Sequence, residues 1–141
     1  MIRKATLKDL NEIINIENES FNIHDRFSKE VIKYHIKKSH TYVYEYNKSI
    51  IAYLIYIPYK KSIRIYSIAV KKNYRNKKIA TKLINHIINI AKKQRKKYLS
   101  LEVSVLNKIA INFYKKLGFK PIKQLKKYYH DSDGIKMIKT I

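Results

Sequence analysis

The sequence predicts an α/β fold: a single-domain layer sandwich on one central mixed sheet, in the order α-α-β-β-β-α-β-α-β-β. Three observations predict it. Residues 41–70 hold three strand-like runs in succession, punctuated by turn residues. The stretches on either side carry apolar residues at helical spacing. A strictly alternating strand at residues 98–105 then sits between two such helices, the alternation from which layered α/β folds are built. At 141 residues the chain is expected to be one domain that buries roughly 68% of its unfolded surface.

Each element has its own signal. Thr6 followed by Asp9 is an N-cap with an acid at the third position, opening a helix whose apolar face is Leu10, Ile13, Ile14 and Phe21. Ser28 opens a second helix, with Phe27 and Ile32 spaced as a hydrophobic staple. Strands follow at residues 41–46, 50–57 and 63–70, broken by Asn47-Lys48-Ser49 and by Pro58, which reads as a β-meander. After a basic turn, Ile79, Leu83, Ile87, Ile90 and Ala91 form one helical stripe that packs on the sheet. Residues 98–105 alternate, with Leu99, Leu101, Val103 and Val105 on one face and Tyr98, Ser100, Glu102 and Ser104 on the other. Asn107 caps a short helix carrying Ile109, Ala110, Phe113, Tyr114 and Leu117, and Gly118 is its C′ stop. Two strands, residues 120–129 and 135–140, close the chain.

Composition bounds the function. There are no cysteines, so disulfides and thiolate metal sites are excluded. The five histidines (24, 35, 40, 86 and 130) show no i, i+4 pair with a third ligand, and no metal site is expected. The N-terminal residues lack the apolar core of a signal peptide, and the longest apolar run, residues 50–57, is too short to span a bilayer, so no membrane role and a cytoplasmic location are expected. The net charge is +22, from 32 Lys+Arg against 10 Asp+Glu, which predicts attraction to polyanions. Its distribution is uneven. Six of the ten acids lie in the first thirty residues, while residues 71–101 hold none and carry eleven Lys or Arg.

The basic turn is the most informative segment. The strand that contains Ile68, Ala69 and Val70 empties into Arg75, Asn76, Lys77 and Lys78, and the helix opens at once with Ile79, Ala80 and Thr81. Unpaired N–H groups, a helix N-terminus and several cations thus converge, which is a cradle for phosphate. Taken singly, other residues read more plainly: Glu102 as a surface-strand carboxylate, Tyr114 as a core tyrosine, Asn107 as a helix cap, and the lysine run at 92–97 as a solvated helix end.

Together these residues resemble a known family. The turn Arg75-Asn76-Lys77-Lys78-Ile79-Ala80 resembles the R/Q-x-x-G-x-G/A acyl-coenzyme A signature of the GNAT family of N-acetyltransferases, with Lys78 where the family usually has glycine. Residues 101–119 resemble the L-x-V-x-x-x-N-x-x-A-x-x-x-Y-x-x-x-G-F pattern of the RimI-type and protein N-terminal acetyltransferases, with Asn107, Ala110, Tyr114 and Gly118 all on pattern. Tyr128-Tyr129 followed by H-D-S-D-G resembles the segment that holds the first residues of the acceptor peptide in those enzymes.

The resemblance implies acetyl transfer from acetyl-CoA to an amine, with no metal and no covalent enzyme intermediate. It implies that the backbone of Ile68, Ala69 and Val70 holds the pantetheine arm together with Asn107, and that residues 75–81 hold the phosphates. It also implies that Glu102 is the general base, acting through water, that Tyr114 is the general acid, and that Phe21, Tyr128 and Tyr129 meet the acceptor. A tyrosine with an ordinary pKa near about 10 can serve a thiolate whose conjugate acid is near about 8.5. In a helical conformation Lys78 would cost little. An α-amine (pKa about 7.8) is easier to deprotonate than lysine (about 10.4) by roughly 3.5 kcal/mol, which favours protein or peptide N-termini, ribosomal proteins among them. A ribosome partner through the basic surface fits the charge. Two other readings stand beside this one: a small-amine acetyltransferase, and a non-catalytic basic module that binds RNA through the face formed by residues 71–97.

Overall fold

A computed structural model describes residues 1–141. Its strands are β1 (Ile2–Lys4), β2 (Thr41–Tyr46), β3 (Ser49–Pro58), β4 (Ser62–Val70), β5 (Tyr98–Ser104), β6 (Lys120–Tyr129) and β7 (Ser132–Thr140). Its helices are α1 (Leu10–Ser20), α2 (Lys29–Lys37), α3 (Ile79–Lys93) and α4 (Lys108–Lys116). One seven-stranded mixed sheet has the order β1-β2-β3-β4-β5-β7-β6, with β4 and β5 parallel. The expected element order holds with one addition. The strand β1 is three residues long, too short to show alternation, and becomes a strand only by pairing with β2 (Arg3↔Val43). No helix is long and apolar enough to cross a membrane.

The residues fall into two compact units: Met1–Ile57 with Ser67–Ile87, and Pro58–Tyr66 with Ile88–Ile141. In the first, β3 is buried from Ile50 to Tyr56 without alternation, as its continuous apolar run requires of a strand covered on both faces. Ile13, Ile32, Ile51, Leu54, Ile55, Leu83 and Ile87 are fully buried, each worth about 1.5–3 kcal/mol over exposure. The start of α1 follows the expected cap: Asp9 accepts from the Thr6 N–H at 2.8 Å, and a 3-10 turn, Leu7–Asp9, leads into the helix. Its inner face differs from expectation. Ile16 and Glu17 are buried, whereas Ile14 is half-buried. The Ser28 hydroxyl caps α2, accepting from the Val31 N–H at 3.3 Å. The buried stripe of α3 is wider than the sequence suggested, since Ile84 and Ile88 join Ile79, Leu83 and Ile87.

In the second unit, Leu99, Leu101 and Val103 of β5 are buried as alternation requires. The parallel ladder is only three pairs long, Ser62↔Tyr98, Ile63↔Leu99 and Arg64↔Ser100, although β4 continues to Val70. The β5–β7 ladder, by contrast, runs unbroken from Tyr98↔Thr140 to Ser104↔Gly134, and β7 begins three residues earlier than expected. Asn107 caps α4 by accepting from the Ala110 N–H at 3.1 Å, and Gly118 ends it at φ +96°, the left-handed C′ position that glycine favours. The expected apolar stripe of α4 is corrected at Ile109, which is 86% exposed; none of the helix's residues is fully buried, and Phe119 just beyond it is the anchor.

Candidate active site

The basic turn lies in the first unit. After Val70 the chain makes a 3-10 turn, Lys72–Tyr74, and α3 begins at Ile79. The first bond of that helix runs from the Lys82 N–H to the Lys78 carbonyl at 3.1 Å, so the N–H groups of Asn76, Lys77, Lys78, Ile79, Ala80 and Thr81 donate to no backbone carbonyl. An anion would satisfy them. Lys78 is not helical. Both it and Asn76 are left-handed, at φ +62° and +64°, so the helical condition under which lysine would cost little is not met: a Cβ in this region costs about 1 kcal/mol, and the family's glycine would not incur it.

Arg75 is a brace as well as a cation. Its Nε donates to the Val70 carbonyl at 2.9 Å and its Nη2 to the Ser20 hydroxyl at 3.1 Å, tying the turn to the end of α1. The Lys72 N–H donates to Glu19 at 3.4 Å, and the Lys77 ammonium lies 5.7 Å from the Tyr74 ring centroid. Phe21 caps α1 at its C-terminus, in extended backbone and partly exposed. Beneath it Glu17 is buried. Its Oε1 accepts from the Tyr53 and Ser67 hydroxyls, and its Oε2 from the Phe27 N–H at 3.0 Å, so one carboxylate pins the loop after α1 to β3 and β4. Burial, then the charge of Glu17, pushes the Tyr53 phenol well above its ordinary pKa.

Glu102, Arg64 and Tyr128 meet in the second unit. Glu102 Oε1 forms an ion pair with Arg64 Nη2 and accepts from the Tyr128 hydroxyl at 3.2 Å. Glu102 Oε2 and Arg64 Nε are buried without a hydrogen-bond partner. Desolvation works to lower the Arg64 pKa, but Glu102 and Tyr59 outweigh it and leave it raised. The Tyr128 phenol is raised by burial and then by the Glu102 charge. A cavity of about 400 Å³ opens here, lined by Tyr59, Lys60, Lys61, Ser62, Arg64, Tyr98, Ser100, Glu102 and Lys136.

Tyr128 and Tyr129 meet edge to face, 5.0 Å apart, on the backbone of Gly134. A Cβ at Gly134 would come within 3.0 Å of Tyr129 and 3.1 Å of Tyr128, so glycine there is a matter of space. Tyr114 stands on α4 with its ring 5.8 Å from Phe119 and 5.4 Å from Phe113, and burial pushes its phenol up to about 12. Asn107 is exposed at the head of that helix.

Thus Phe21 and residues 68–81 belong to the first unit, and Glu102, Asn107, Tyr114, Tyr128 and Tyr129 to the second. Arg64, Glu17 and Gly134 escaped the sequence reading. Two of them carried a signal: Arg64 is the one charge inside the strand I-R-I-Y-S-I-A-V, and Glu17 falls on the apolar stripe of α1 between Ile13 and Phe21. No group of three or more His, Asp or Glu is placed to hold a metal ion.

Comparison with known proteins agrees with this geometry. The acetyltransferase (GNAT) family matches residues 10–119. An uncharacterised N-acetyltransferase of Methanocaldococcus jannaschii is 35% identical over 99% of this chain and 90% of its own length. An N-alpha-acetyltransferase of Sulfurisphaera tokodaii is 31% identical over 94% of this chain and 87% of its own. The crystal structure of Ard1 from Thermoplasma volcanium superposes with a TM-score of 0.93 at 25% identity, covering 100% of this chain and 97% of the other.

Proposed function

The chain belongs to the acetyltransferase (GNAT) family, and from that premise we propose that it moves an acetyl group from acetyl-CoA to the N-terminal α-amino group of proteins or peptides. The observation that carries the reading is the run of six backbone N–H groups from Asn76 to Thr81 with no backbone acceptor, at the start of a helix in a segment without acids. These groups fit a pyrophosphate, and the helix dipole adds to them. The 31% identity to an N-alpha-acetyltransferase supports the α-amine as acceptor.

On this reading residues 76–81 bind the phosphates of acetyl-CoA, with Arg75 bracing the turn, and Ile68, Ala69 and Val70 offer backbone groups to the pantetheine arm alongside Asn107. The bound thioester supplies an activated acyl carbon. Glu102 takes a proton from the acceptor ammonium through water, and Oε2, the oxygen without a partner, is where that proton arrives. The amine nitrogen forms a bond to the acyl carbon, the carbon–sulfur bond breaks, and the second proton on that nitrogen passes to solvent, so the products are the amide and the CoA thiolate. On this reading Tyr114 serves the departing sulfur. With its phenol at about 12, complete transfer to a thiolate of pKa about 8.5 is uphill by about 5 kcal/mol, so Tyr114 stabilises the thiolate by a hydrogen bond and remains protonated at every working pH. Phe21, Tyr128 and Tyr129 contact the acceptor's first residues. A ribosomal partner rests on the +22 charge alone.

Acetylation of a peptide library by the purified protein, followed by mass spectrometry, tests the reading. It expects product on the α-amine of peptides. Turnover confined to lysine side chains or small amines would overturn it, and so would acetyl-CoA that leaves the melting temperature unchanged.

A further inference from the structure

We infer that the cavity beside Glu102 is a seat for an anionic group of the acceptor, so that the enzyme selects peptides with Asp or Glu a few residues behind the reacting amine; this rests on the N-terminal acetylation reading above. Lys60, Lys61, Arg64 and Lys136 line the cavity against a single carboxylate, Glu102, and that carboxylate is already paired with Arg64. The ammonium groups of Lys60, Lys61 and Lys136 have no ion-pair partner. A cavity with three uncompensated cations has a positive potential that its low-dielectric walls strengthen, and it attracts negative charge.

The backbone of the turn that carries Lys60 and Lys61 is held in place. The Tyr59 N–H donates to the Ser62 carbonyl at 2.9 Å and the Lys97 N–H to the Lys61 carbonyl at 2.7 Å. The Lys96 ammonium donates to the Tyr59 carbonyl at 2.5 Å. The backbone of that turn is therefore fixed before any ligand arrives, and only the lysine side chains remain to be ordered on binding.

Register gives the spacing. Ser62 pairs with Tyr98 and Arg64 with Ser100, so the lysine turn lies at the Tyr98 end of β5 and Glu102 is four residues further along. Four residues of strand span roughly 13 Å, and an extended acceptor with its amine at Glu102 covers that distance in about four residues. Positions three to five of the acceptor would then reach the lysines. About 400 Å³ holds a few side chains, which favours a peptide over a polynucleotide.

The test uses three peptides with the same first two residues and with glutamate, serine or lysine at positions three to five, assayed for kcat/KM with the wild-type chain and with K60E/K61E. Wild type should prefer the glutamate peptide over the lysine peptide by at least about tenfold at low salt, and the preference should shrink as salt rises. K60E/K61E, checked for an unchanged melting temperature, should reverse the order. Equal rates on all three peptides would overturn the inference and leave N-terminal acetylation standing. So would a preference that survives charge reversal, or a lack of charge preference together with competitive inhibition by a short oligonucleotide. No turnover of any peptide, the serine control included, would overturn the acetylation reading and this inference with it.

Discussion

Single residues decide the chemistry. E102Q and Y114F both preserve shape, and each should lower kcat by roughly 100-fold while leaving acetyl-CoA binding nearly intact, because acid–base and hydrogen-bonding terms act in the transition state. The glutamine variant should regain activity as pH rises past about 8, where free α-amine accumulates, and the phenylalanine variant should regain less. Steady-state rates between pH 6 and 10 check both. At Lys78 the left-handed backbone predicts that K78G raises stability by about 0.5–1 kcal/mol, read as the urea midpoint, with acetyl-CoA affinity within about tenfold by calorimetry. Glu102, Asn107 and Tyr114 were singled out by their resemblance to a family pattern, since each alone reads as a surface carboxylate, a helix cap and a core tyrosine. Partners were not. Nothing in the sequence places Arg64 on Glu102, because that contact joins residues dozens of positions apart, or sets the backbone of Gly134 under Tyr128 and Tyr129, because that depends on how β7 folds back on β6.

Elements were legible wherever their signal was local. Caps were read correctly at Ser28, Asn107 and Gly118, where one residue and its neighbours settle the geometry. Two of the misreadings, β1 and the exposed Ile109, are cases where tertiary pairing or its lack overrides pattern. The tie that holds β1 makes a pH prediction. Arg3 donates to both carboxylate oxygens of Asp9 at 2.8 and 3.0 Å, and these bonds, against desolvation and aided by the Thr6 N–H, hold the Asp9 carboxyl below its ordinary pKa. A lowered carboxylate stabilises the fold above the unfolded pKa of about 3.9, and that contribution is lost as pH falls through the folded value. Urea midpoints from pH 6 to pH 3 should therefore fall more steeply for wild type than for D9N, which starts less stable at pH 6. N107A should cost about 1 kcal/mol through the lost cap of α4, measured the same way.

For the whole molecule, ligand linkage gives the broadest check. Acetyl-CoA at about 100 times its dissociation constant should stabilise the fold by about 2.7 kcal/mol, a rise in melting temperature of roughly 5–10 °C, and R75E should shrink that rise. Fold class was readable in full because helix and strand periods alternate without ambiguity; the shortness of the β4–β5 ladder was not, since both strands look equally strong in sequence. The sheet order has a further consequence for how copies of this chain tolerate one another. Its two outermost strands are β1 and β6. The first is three residues long, too brief to template a neighbour; the second is ten, nearly all exposed, and carries Pro121 and lysines at 120, 123, 126 and 127, with register breaks along its length. Strand-to-strand stacking is thus opposed by brevity on one side and by mutual repulsion on the other. Only the second defence depends on ionic strength, so concentrated protein should remain dispersed at low salt and lose that protection from the β6 side first as salt is raised.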